Sequence, residues 1–66
     1  MTTKIQPADA VPGVWYCGFT VQPDGFAQDG LIMQAAGDGQ FYDETDWTGR
    51  DYGPEMRQYD YLVAQA

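Results

Sequence analysis

The apolar and aromatic residues of this chain are bunched into short runs. Val14-Trp15-Tyr16-Cys17-Gly18-Phe19-Thr20-Val21 is aromatic and β-branched, the composition of a strand, with Gly18 as a candidate bulge. Gln22-Pro23-Asp24-Gly25 closes it as a turn: proline presets φ, aspartate can bond the backbone ahead, and glycine accepts a positive φ. After Phe26 and the Asp29-Gly30 turn signal, Leu31 to Ala35 reads as a second strand. Gly37-Asp38-Gly39 reads as a tight loop and Gln40 to Glu44 as a third strand, together an antiparallel meander. Thr45 to Gly53 mixes acids, glycine and aromatics without a period and reads as a loop.

The two ends are less regular. Residues 1–13, with Pro7, Pro12 and Gly13, read as an extended N-terminal arm ahead of a single compact domain at 14–66. At the other end, Pro54 and Glu55 suit the first turn of a helix, and Met56, Tyr59, Leu62 and Val63 would share one side of it. Arg57-Tyr59-Tyr61-Val63 also alternates with Gln58-Asp60-Leu62, which leaves a fourth strand as the other reading. The expected fold is α+β, a small antiparallel sheet of three to four strands with a short C-terminal helix.

Composition narrows what such a domain can do. Sixty-six residues accommodate one core, and the usual reinforcements of a small core are missing: Cys17 is the single cysteine and there is no histidine. Ten aromatic residues supply the area to fill it. The formal charge is −7, and only Lys4, Arg50 and Arg57 are basic, so direct binding to nucleic acid or to an anionic membrane is not expected. No run of apolar residues suits a signal peptide or a membrane span, which together with one unpaired cysteine fits a cytoplasmic protein.

Catalytic chemistry has little to draw on. With no histidine and no serine the familiar triads cannot be built, and Cys17 between Tyr16 and Gly18 has no base beside it, so it reads as an inert core residue. Asp43, Glu44 and Asp46 could in principle act as paired carboxylates, but that work needs a desolvated cleft, and we expect no enzyme activity. Glu44 to Glu55 can be laid on the twelve-residue calcium-loop frame, with Glu44, Asp46 and Thr48 at its first, third and fifth places, Gly49 at the turn and Glu55 last. Glu instead of Asp at the first place, Asp51 at an apolar place, and Gly37 and Gly39 in the entering helix oppose it. No metal or cofactor is expected.

The acidic residues are unevenly placed. Residues 38–66 hold Asp38, Asp43, Glu44, Asp46, Asp51, Glu55 and Asp60 against Arg50 and Arg57. On a strand, Glu44 and Asp46 would point to one face about 6.6 Å apart, with Asp43 toward the other. Duplex DNA carries one negative charge per about 1.7 Å, and the proteins that grip it line their grooves with Lys and Arg. A compact protein with carboxylates at similar density can occupy such a groove. Trp47 stands among these acids, and Trp is enriched at binding hot spots. The candidate partner-binding set is therefore Asp38, Asp43, Glu44, Asp46, Trp47, Asp51 and Glu55, facing a basic nucleic-acid-binding protein. The alternative is a small acidic accessory or assembly protein of a phage or bacterial complex that binds through exposed aromatics.

In size, in its lack of catalytic residues and in its opening Met1-Thr2-Thr3, the sequence resembles the small acidic anti-CRISPR proteins of phages and mobile elements, above all the inhibitors of type I systems. The resemblance is one of length and charge over the whole chain, with no diagnostic motif. It implies a monomeric stoichiometric inhibitor that binds a Cas subunit of the Cascade complex, where target DNA or its PAM would enter.

Overall fold

A computed structural model describes residues 4–65 except Glu44 and Asp46. The chain forms a five-stranded antiparallel sheet: β1 (Lys4–Ile5), β2 (Trp15–Val21), β3 (Ala27–Gly37), β4 (Gln40–Tyr42) and β5 (Tyr61–Ala64), in the order β1-β5-β2-β3-β4. One helical turn, α1 (Gly53–Met56), precedes β5, and a 3-10 turn at Pro7–Asp9 follows β1.

The β2–β3–β4 meander forms where turn chemistry demands it. Gly25 takes φ 91°, its N–H donates to Gln22 O, and Asp24 Oδ1 accepts from Phe26 N. Asp38 and Gly39 both take positive φ (54° and 77°), as the two central residues of a tight hairpin turn with right-handed twist require. The bulge expected at Gly18 lies on the neighbouring strand instead: Cys17 pairs with Ile32 but Phe19 with Asp29, so β3 carries the extra residue, around Gly30 and Leu31, and Gly18 is the single residue opposite it.

Four sequence expectations are corrected. Asp29-Gly30 does not form a turn: β3 runs through it from Ala27, with Asp29 paired to Phe19 and the irregularity absorbed as the bulge. The sheet has five strands where three to four were expected, because residues 4–5 of the N-terminal arm pair with β5. The helix is a single turn and does not end the chain: Pro54 starts it, and after Arg57–Asp60 the backbone becomes β5, central in the sheet between β1 and β2. The strand expected to reach Glu44 stops at Tyr42, beyond which Asp43 Oδ1 accepts from Thr45 N and Oγ1 and turns the chain away.

Strand register sorts the side chains onto two faces, since cross-strand partners point the same way and neighbours alternate. One face carries Ile5, Tyr16, Met33, Ala35, Phe41 and Leu62, covered by Met56, Tyr52 and Tyr59 from the segment before β5 and by Ala10 and Val14 from the segment before β2. Met56, Phe41 and Leu62 are fully buried, and Tyr16 meets Phe41 edge to face. The other face carries Lys4, Trp15, Cys17, Phe19, Ile32, Tyr42, Tyr61 and Val63. Among the described residues, the segments that cover the core pack on the opposite side from this second face. Cys17 is buried here, outside the core cluster, wedged between its cross-strand neighbours Ile32 and Val63.

Candidate partner-binding surface

The acidic segment runs from the β3–β4 turn through α1, and the structure divides its carboxylates by task. Asp38 sits exposed at the turn. Asp43 is half-buried and its Oδ1 is occupied by Thr45. Asp51 Oδ1 accepts from two backbone donors, Gly53 N at 2.8 Å and Phe41 N at 3.0 Å. These bonds, that to Gly53 first, hold the Asp51 carboxyl below the usual carboxylate range, partial burial opposes them, and the Arg57 charge adds to the lowering. Glu55 pairs with Arg50 at 2.5 Å, and its Oε2 is enclosed without a hydrogen-bond partner.

Asp51 and Glu55 are thus part of the device that ties the loop to the sheet. The loop's return is close: a β-carbon on Gly53 would collide with Gly39 O, so only glycine lets the start of α1 pass over the β3–β4 turn. Tyr52 N donates to Phe41 O, and Arg50 lies over the Tyr52 ring at 4.7 Å. What this anchored loop holds out is Trp47, 93% exposed. Its indole stands in water on a loop fixed at both ends, and Trp is a residue type enriched at binding hot spots.

Of the seven expected site residues, the structure leaves Asp38 and Trp47 outward, gives Asp43, Asp51 and Glu55 local partners, and Glu44 and Asp46 lie outside the described residues. The sequence reading did not single out Phe26, 75% exposed at the tip of the β2–β3 hairpin, because a single aromatic beside a turn is as often core as surface. Among the described residues no helix is long and apolar enough to cross a membrane, and no group of three or more acids and cysteines could hold a metal ion. Compared with protein-family models, curated proteins and solved structures, the chain matches none.

Proposed function

We propose that this chain acts without chemistry, as a stoichiometric inhibitor that occupies a basic, nucleic-acid-holding surface of a partner protein. The observation that carries the reading is Trp47, almost wholly exposed in a segment where Asp38, Asp43, Glu44, Asp46, Asp51 and Glu55 face only Arg50 in the same span. Carboxylates steer the chain to a cationic groove, and the indole supplies the contact that remains once water is expelled. The resemblance to anti-CRISPR proteins names the partner to try first, a type I Cascade complex at the site where target DNA or its PAM enters.

The test is a titration of Cascade–DNA binding with the purified chain, followed by gel shift. Loss of DNA binding complete at one chain per complex supports the reading. A ternary complex of Cascade, DNA and chain, or no effect at a tenfold excess, contradicts this choice of partner. The second reading, an accessory or assembly protein that binds through aromatics, is favoured by the same Trp47 and by Phe26. It differs in requiring no basic groove.

A further inference from the structure

The sheet face turned away from the core is complementary to itself. Across β1, β5, β2 and β3 the register aligns Lys4, Val63, Cys17 and Ile32 in one row, Tyr61, Phe19 and Asp29 in the next, and Val21 with Ala27 beyond. Phe19 and Tyr61 stack with centroids 5.4 Å apart and planes 12° off parallel, an aromatic pair at the centre of the face. Ile32 and Val21 are about half exposed beside it. These rows contain two charges, Lys4 at the β1 edge and Asp29 in β3, so the face is neutral in a chain of net charge −7. Three strand spacings, about 14 Å, separate their strands. Lys4 Nζ leans 4.7 Å over the Tyr61 ring, which brings the ammonium into the row that ends in Asp29.

We propose that this face packs against the same face of a second copy of the chain, about a two-fold axis parallel to the strands and lying between β5 and β2. That rotation exchanges the β1 and β3 edges and keeps each row at its height. Lys4 of each copy then stands opposite Asp29 of the other, and the two Phe19–Tyr61 pairs meet at the centre. Aligned sheet-on-sheet packing at about 10 Å leaves room for these side chains to interdigitate. A second copy is the occupant because of the charge pattern: a strongly basic partner would meet Lys4 and a strongly acidic one Asp29, whereas the face of another copy answers both. Of the other acids of the described chain, Asp60 borders the last row, where its Oδ2 accepts from Val21 N, and the rest lie outside these rows. The arrangement is independent of the Trp47 loop, which follows β4 beyond the proposed contact.

Sedimentation equilibrium of the full chain between 1 and 500 μM tests this. The wild type is expected to form a reversible dimer. Lys4→Glu and Asp29→Lys, both at exposed positions, should each weaken it at least tenfold, and an equimolar mixture of the two variants should recover it, since every opposed pair in the mixed dimer again has opposite signs. Ile32→Asp, on the same face, should dissociate it as well, and circular dichroism checks that each variant remains folded. A wild type that stays a single chain throughout the range, a dimer indifferent to both charge reversals, or a mixture that fails to recover would each overturn the proposal.

Discussion

The Tyr59 ring lies in the space that a side chain on Gly18 would need: a β-carbon built there would fall well inside contact distance of the ring's Cδ2 and Cγ. Gly30, across the strand pair, leaves room for the same ring, and the Tyr59 hydroxyl accepts a hydrogen bond from Leu31 N at 2.8 Å. Two glycines that would weaken a strand by themselves thus form a slot, and the bulge beside them brings the Leu31 N–H to the phenol. Gly18→Ala should cost about 1–3 kcal/mol by overpacking. In urea unfolding, Gly18→Ala and Tyr59→Ala should be markedly less than additive, because the second removes what the first collides with. Full additivity would mean that the ring does not hold this position.

Asp51 makes stability depend on acid. Its folded pKa lies below the unfolded value, about 3.9, so its contribution is complete above that value and is lost as the pH falls through the folded one. Asp51→Ala should cost about 1–3 kcal/mol at neutral pH by leaving the N–H groups of Phe41 and Gly53 without their acceptor. Its stability should also fall less steeply than that of the wild type below about pH 4. Thermal melts from pH 2 to 7 check both statements, and equal acid slopes would show that the carboxylate is not so held.

How much of this could be read from the chain depended on whether the signal was local. Pro23-Asp24-Gly25 and Asp38-Gly39 dictate their own φ values, so both hairpin turns were legible. Residues 54–64 looked like helix and like strand because they are one after the other. Met56 and Leu62 reach the same core from α1 and from β5, so the periodicity of their burial fits either period. Lys4–Ile5 has no strand signal of its own, and its pairing is set by β5, almost sixty residues away. In the candidate site, the exposure of Trp47 followed from its acidic neighbours. The engagement of Asp51 and Glu55 did not, because their partners Phe41 N and Arg50 are supplied by the fold.

Calcium should not bind. In the twelve-residue frame Glu55 would be the bidentate ligand, yet it is paired with Arg50, and Asp51 is committed to backbone donors. Calorimetry with millimolar calcium should show no saturable heat. A one-site isotherm lost in Glu55→Gln would mean that the loop rearranges around the ion.

Cys17 should be inert toward partners. It is 4% exposed, and its thiol lies near Gly18 O and Gly30 O. Cys17→Ala should leave partner binding unchanged and lower stability by about 1 kcal/mol. A variant that melts like the wild type but no longer binds would assign the thiol a direct role.

Salt separates the two readings of the Trp47 loop. A complex led by carboxylates should weaken steeply between about 50 and 200 mM salt, whereas one led by aromatics should hardly change. Glu44→Lys combined with Asp46→Lys should abolish a charge-led complex, with Asp9→Lys as the control. Asp9 is the better control than Asp24, whose carboxylate holds Phe26 N in the hairpin turn.

The proposed role of the anchored loop, presenting Trp47 to a partner, can be probed with Trp47→Ala, because an indole this exposed contributes little to the fold. The measurement is the affinity for the partner and the melting temperature, taken side by side on the same preparation. We expect stability to move by no more than about 0.5 kcal/mol, as for other surface substitutions. The affinity should fall by about 30-fold or more, the loss of a hot spot worth at least about 2 kcal/mol. An unchanged affinity in a normally folded variant would contradict the account.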